Sequence, residues 1–199
     1  MENMKYPVIT ISREYAAYGR TVARRLAELL DIPFYDRDFV KETAKCSGFS
    51  EEEIEKEGES MSPASRFMNS LMNSSMEYSS SYDSIFRAQR QVLLKLTKKP
   101  CIIVGRCGGY ILQEAGIPCF RVFLYADKQT RIRRAGELEE NKGINPKKAV
   151  EKHDSLRETY YRQYTHHELG DYHSYDICLN TGEIGPQRCA EIIASIVRM

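Results

Sequence analysis

Val8-Ile9-Thr10-Ile11-Ser12-Arg13-Glu14-Tyr15-Ala16-Ala17-Tyr18-Gly19-Arg20-Thr21 decides the fold class of this 199-residue chain. Its first four residues form a short, β-branched, nearly continuous apolar run, which suits a strand buried on both faces. From Arg20 to Leu30, Val22, Ala23, Leu26, Ala27 and Leu30 recur at helical spacing, with Arg24, Arg25 and Glu28 between them. Asp31-Ile32-Pro33 ends that helix, and Phe34-Tyr35 reads as a brief second strand. A strand, loop, helix, strand opening signals an α/β fold with a parallel sheet.

The alternation continues outward. Ile85, Gln89, Val92 and Leu96 mark a helix that ends before Pro100, and Cys101-Ile102-Ile103-Val104 is another buried strand, followed at once by Gly105-Arg106-Cys107-Gly108-Gly109. Phe120 to Tyr125 is a strand, and Lys128 to Leu138 and Pro146 to Tyr164 are helices, the latter with Asn145 as cap and Pro146 in its first turn. Tyr175 to Leu179 reads as the last strand, before a helix from Pro186 to Val197. Five strands interleaved with helices predict a doubly wound sheet, in which ligands gather beyond the carboxyl ends of the strands.

One stretch breaks this rhythm. Glu51 to Glu59 holds six Glu in nine residues, and Ser60 to Ser84 holds ten Ser. Low complexity is the bland reading. Ser62-Pro63 nevertheless makes a good helix start, and Phe67, Met68, Leu71, Met72 and Met76 form an apolar stripe at helical spacing. The segment is read as a mobile helical insertion, with the Met stripe serving as packing.

Composition bounds the partner. Lys and Arg total 29 against 28 Asp and Glu, a formal charge of +1, which argues against a general nucleic-acid surface while leaving room for a local anion site. Arg outnumbers Lys, favouring forked recognition of phosphate or carboxylate. The six Cys form no C-x-x-C pair and no cluster with zinc spacing. No signal-peptide pattern and no membrane-length apolar run occurs, so free thiols in a reducing cytoplasm are the expectation.

The segment Ser12 to Thr21 lies where a phosphate-binding loop would, between a buried strand and a helix N-terminus. Against the pattern G-x-x-x-x-G-K-[S/T], only Gly19 and Thr21 match outright. The wider context resembles the cytidylate kinase-like family, a branch of the P-loop nucleoside monophosphate kinases whose loop typically runs Ser-Arg-Glu-Tyr-Gly-Ser-Gly-Gly-Arg. Ser12-Arg13-Glu14-Tyr15 and Gly19-Arg20 match that loop. The similarity continues through Leu26-Ala27, Ile32 to Arg37, Val104-Gly105-Arg106, Asp154 with Arg157, Tyr161, Tyr164-Thr165, Tyr175-Asp176 and Leu179-Asn180-Thr181.

The resemblance implies a three-layer P-loop NTPase fold, a five-stranded parallel sheet flanked by helices, in one domain. Its core would be 1–45 and 85–199, its helical monophosphate-binding insertion 46–84 and its lid about 131–157. It implies transfer of the γ-phosphate of ATP, with Mg²⁺, to a nucleoside monophosphate, CMP or dCMP above all. Ser12, Arg13, Tyr18, Gly19, Arg20 and Thr21 would bind ATP, with Arg20 in the lysine role and Thr21 placing Mg²⁺. Arg131 and Arg134 would join Arg20 in catalysis. Asp36, Arg37, Arg106, Asp154 and Arg157 would hold the acceptor. No nucleic acid and no membrane is expected as partner.

Three departures stand out. The family's Gly-Ser-Gly is Ala16-Ala17-Tyr18, and a Tyr at positive φ is strained. Cys107 follows Gly105-Arg106 where cytidylate kinases proper carry Asp, and Leu169 replaces a common Trp. These keep two alternatives in view: a nucleotide-binding protein with little turnover, and a P-loop kinase for another small metabolite. Bland readings also stand for single residues: Asp36 as a helix cap, Asp154 and Arg157 as an intrahelical pair, Tyr160, Tyr161 and Tyr164 as core, and His166-His167 as surface.

Overall fold

The computed structural model describes residues 4–72 and 80–198, apart from the side chains at 37, 38, 46 and 70–72. In chain order the elements are β1 (Val8–Arg13), α1 (Gly19–Leu30), β2 (Phe34–Tyr35), α2 (Arg37–Ser47), α3 (Glu51–Glu57), α4 (Pro63–Met72) and α5 (Ser81–Leu96). There follow β3 (Cys101–Val104), α6 (Gly108–Glu114), β4 (Phe120–Tyr125), α7 (Lys128–Gly136), α8 (Pro146–Thr165), β5 (Ile177–Asn180) and α9 (Pro186–Val197). Among the described residues the five strands form one sheet in the order β2-β3-β1-β4-β5, with every pairing parallel.

Alternation along β1 builds both cores. Ile9 and Ile11 face one side, against Val22 and Leu26 of α1 and Ile193 and Val197 of α9. Val8 faces the other side with Ile103, against Leu93 of α5, Ile111 of α6 and Tyr160 of α8. The result is the three-layer α/β sheet that the strand pattern implied. Because β1 lies at the centre, its carboxyl end opens between β3 and β4, and the loop after it is walled by both. Among the described residues no helix is long and apolar enough to cross a membrane.

The described part of the insertion is helical, as its reading had it, and corrects one expectation. The glutamate-rich stretch is not structureless: Ser50 and Glu53 make a reciprocal capping box that starts α3, and Glu51, Glu52 and Glu53 lie in its first turn. Acidic residues there suit the positive end of the helix dipole, so the start of the run is a helix N-terminus. The apolar stripe of α4 is not packed as expected, since Phe67 is 64% and Met68 53% exposed. The side chains of Leu71 and Met72, and all of Met76, lie outside the described residues. Sequence periodicity reports a helix, while what covers its apolar face is a tertiary matter.

Two helices, α2 and α6, escape the apolar pattern. α6 begins directly after the third strand's turn, with Gly108 and Gly109 in its first turn, where glycine masks the helical signal. α7 stops at Gly136, two residues short of the expected Leu138, and β5 begins at Ile177 because Tyr175 still belongs to the preceding turn.

Candidate phosphate-binding site

Between β1 and α1 the chain turns through Glu14 to Tyr18 and opens a cavity of about 370 Å³ lined by loop residues with Arg20, Thr21, Arg24, Arg134 and Arg157. The volume lies in the range of small-molecule sites. Gly19, Arg20 and Thr21 occupy the first turn of α1, where backbone N–H groups have no intrahelical acceptor and the helix dipole favours an anion.

Ala16 and Tyr18 sit at φ +59° and +58°, the left-handed region that glycine enters freely. The loop therefore holds two left-handed angles without glycine, at about 1–2 kcal/mol for each residue. What holds it is visible. Arg134 of α7 places its guanidinium 4.0 Å from the centroid of the Tyr18 ring, donates to the Thr181 hydroxyl at 3.0 Å and its carbonyl at 2.8 Å, and reaches the Ala16 carbonyl at 3.5 Å.

Arg131 works beneath the loop. It is buried, pairs with Glu14 at 3.0 Å and with Asp154 of α8 at 2.5 Å, and donates to the carbonyls of Ala126 and Tyr15. Asp154 also accepts the Tyr15 N–H at 2.9 Å. Arg131 and Asp154 thus brace the loop from α7 and α8, and neither lines the cavity. Burial pushes the Glu14 carboxyl above its ordinary value, partly offset by the Ala126 N–H and the Arg131 charge.

Arg20 is half exposed at the mouth of the cavity, and its Nε donates to Asp36. Asp36 occupies the N-cap position of α2, yet its side chain makes no capping hydrogen bond; it is buried against Arg20 instead. The side chain of Arg37 lies outside the described residues. Arg24, one turn beyond Arg20 on α1, also lines the cavity. Its spacing from Arg20 was the available signal, since residues four apart share a helix face.

A second group lies at the ends of β1 and β3. Arg13 forms a bidentate pair with Glu59, its Nη2 at 2.9 Å from Oε2. Arg157 of α8 brings its Nε to 3.8 Å of the same carboxylate and donates from Nη1 to the Arg13 carbonyl at 3.2 Å. Arg106 gives its backbone N–H to Glu59 at 3.4 Å, and is only 7% exposed, with Nε and Nη1 lacking any hydrogen-bond partner. Burial alone would raise the Glu59 carboxyl; the charges of Arg13 and Arg157, the Arg13 hydrogen bonds and the Arg106 charge hold it well below its ordinary range. Burial and the Arg13 charge push the Arg157 guanidinium down to about 10. Ser12 lines the narrow crevice here with Gly105 and Arg106.

Glu59 was not singled out in the sequence, where it is the last of a glutamate run and lies 46 positions from Arg13. Asp154 and Arg157 reach to different partners, Arg131 and Glu59, rather than lying as a closed pair on α8. Tyr160 and Tyr161 are buried in the core, and His166 and His167 are exposed. Cys107 is buried at φ +54°, and burial drives its thiol far above the ordinary value, so it is held as an inert thiol.

A model of the cytidylate kinase-like family matches residues 8–183. A cytidylate kinase of Thermoplasma acidophilum is 27% identical over 188 residues, 94% of this chain and 90% of that protein. A crystal structure of a protein from Eubacterium ventriosum superposes with TM-score 0.66 at 23% identity, covering 96% of this chain and 97% of that one. A shikimate kinase from Acinetobacter baumannii, solved with shikimate, superposes with TM-score 0.56 at 19% identity, covering 98% and 94%. At such identities the solved structures establish the fold.

Proposed function

The chain belongs to the cytidylate kinase-like family, and on that premise we propose that it transfers the γ-phosphate of ATP to CMP or dCMP. The observation that carries the reading is the pair of arginine-lined sites at the carboxyl ends of the strands. One opens on the first turn of α1, and the other joins Arg13, Arg106 and Arg157. Phosphoryl transfer to a monophosphate needs two anion sites side by side, one for each reacting phosphate.

In this reading the first-turn N–H groups of Gly19, Arg20 and Thr21 bind the ATP phosphates, and Arg20 takes the position of the lysine usual in such loops. A guanidinium can hold two oxygens at once and keeps its charge at any working pH. Ser12 and Tyr18 belong to the walls of the two sites. Arg134 reaches the cavity from the lid side. Arg131, enclosed by Glu14 and Asp154, serves by fixing the loop's shape rather than by touching phosphate. Arg106 and Arg157 take the acceptor's phosphate, and Asp36 orients Arg20 between the two. The acceptor's phosphate oxygen is already ionised, so no residue has to act as a base.

Mg²⁺ fits the donor set. Among the described residues no cluster of three or more His, Cys, Asp or Glu could cage a metal. Mg²⁺ commonly binds through one protein oxygen plus substrate phosphates, and the exposed Thr21 hydroxyl on the cavity offers that oxygen. The ion would supply charge neutralisation on the transferring phosphates.

A second reading, a kinase for another small phosphorylated or hydroxyl-bearing metabolite, draws on Cys107. An apolar, buried thiol stands where cytidylate kinases proper have a carboxylate, so base recognition there is absent. The third reading, a nucleotide binder without turnover, drew on the missing glycines; the left-handed angles that Ala16 and Tyr18 hold without them favour the kinase reading over it. The test is ADP formation from Mg·ATP with CMP, dCMP, UMP, AMP and GMP in turn. Turnover led by CMP or dCMP is expected. Turnover only on acceptors outside this panel favours the second reading, and ATP binding with no ADP formed on any acceptor overturns both.

A further inference from the structure

Arg13, Arg106 and Arg157 come from three separate elements, the end of β1, the turn after β3 and the middle of α8, and meet around one carboxylate. Three guanidiniums thus gather about one carboxylate, while the charges of Asp36 and Asp154 also act on Arg13 and Arg157 respectively. Glu59 cannot satisfy all three forks: Arg106 Nε and Nη1 and Arg157 Nε remain buried without hydrogen-bond partners. Unpaired donors of this kind are costly, and a buried cation without its counter-charge more so. A phosphate monoester carries nearly two negative charges and three acceptor oxygens, which matches what the cluster lacks.

The carboxylate is seated with care. Gly105 lies at φ +74°, and a Cβ there would collide with the Glu59 carboxylate and the Arg13 guanidinium. A Cβ on Gly58 would collide with the Gln89 amide and approach Arg106 Nη1 to 2.8 Å. Glycine on either side lets the acid reach the cluster. Met61, two residues on, donates its N–H to the Leu156 carbonyl of α8 at 3.1 Å, pinning the segment in place. With Glu59 there, the remaining space is about 10 Å³, too small for a phosphate group.

We propose that Glu59 is an internal occupant of the acceptor's phosphate subsite, a resident carboxylate that the phosphate of the acceptor must displace. The proposal rests on the kinase reading in taking the incoming anion to be the acceptor. It moves Arg13 from the ATP side to the acceptor side. Displacement frees residues 58–61 from α8, so acceptor binding and movement of the insertion become one event. The apparent affinity for the acceptor is then lower than the arginines alone would give, because part of the binding energy goes into releasing Glu59.

The test compares the full-length wild-type chain with Glu59→Gln by titration calorimetry, using inorganic phosphate and CMP as probes. The amide keeps the shape and removes the charge. The expected result is binding of both probes tightened by about tenfold or more in the variant, with the gain lost when Arg106→Ala is added. Unchanged or weaker phosphate binding in a folded Glu59→Gln overturns the proposal. Should that variant fold only in phosphate buffer, the anion has replaced the carboxylate, as the proposal requires. A readout on the wild type decides independently of any variant: saturating CMP accelerates amide hydrogen exchange at 58–61, whereas unchanged or slower exchange there contradicts displacement. If the wild type phosphorylates no monophosphate, the monophosphate kinase reading fails, while the inorganic phosphate comparison still decides the role of Glu59.

Discussion

Arg134 sits over the Tyr18 ring, its guanidinium carbon 4.0 Å from the centroid, while the same side chain bonds Thr181 and reaches the carbonyl of Ala16. One arginine of α7 therefore holds both loop residues that occupy left-handed backbone angles without being glycine. A cation over an aromatic face contributes about 0.5–1 kcal/mol, and each charged hydrogen bond about 1.5–3 kcal/mol. Together they offset a backbone cost of about 1–2 kcal/mol per residue. Side chains, not glycines, hold the loop in these left-handed angles.

Ala16→Gly should stabilise the chain by about 1 kcal/mol, because it removes a Cβ from a left-handed position. Ala17→Gly should destabilise it, since Ala17 is fully buried and not at positive φ. Denaturant unfolding of the two variants checks the pair, and equal effects would deny the strain at Ala16.

Arg134→Ala removes the brace and also a cation facing the cavity. The expected outcome is a rise of about tenfold or more in the KM for ATP, equivalent to about 1.4 kcal/mol. Arg133→Ala, an exposed neighbour on the same helix, should leave KM within about twofold. Steady-state kinetics on both separates the brace from general loss of charge.

Glu59 has a depressed carboxyl in the folded state, so its ion pairs stabilise the fold fully above its ordinary value of 4.5 and are lost as pH falls through the lower folded value. Glu14 runs the other way, its carboxyl being raised from 4.5 mainly by burial. The unfolding free energy of the wild type should therefore fall more steeply below pH 4.5 than that of Glu59→Gln. Their difference should be flat above pH 5 or so, and shrink in acid. Parallel curves across that window would show that Glu59 is not held in its charged form.

The fold was legible because its strands are short β-branched runs and its helices mostly strongly periodic, as in Cys101–Val104 and Gly19–Leu30. α6 was not, since two glycines open it and a seven-residue helix shows too little periodicity. The cavity's first-turn residues could be read from their place between strand and helix. Glu59 could not, because nothing within its own segment distinguishes it from the acids before it; only tertiary contact with Arg13, Arg106 and Arg157 does. Asp36 was expected to reach the acceptor, with a helix cap as the bland reading, and its partner in the structure, Arg20, lies 16 residues earlier in the chain. The family resemblance gave Arg131 a catalytic role, and the structure encloses it with Glu14 and Asp154.

In the proposed reaction a phosphoryl group passes from ATP at the α1 cradle to an acceptor held by the neighbouring arginines. Its most direct test follows label from γ-labelled Mg·ATP into product with CMP present, in the wild type and in Arg20→Ala. The account predicts labelled CDP from the wild type and a loss of about a hundredfold or more in the variant, comparable to removing one charge-stabilising donor from a reacting centre. Label appearing only as inorganic phosphate, or transfer to CMP undiminished in Arg20→Ala, would contradict it.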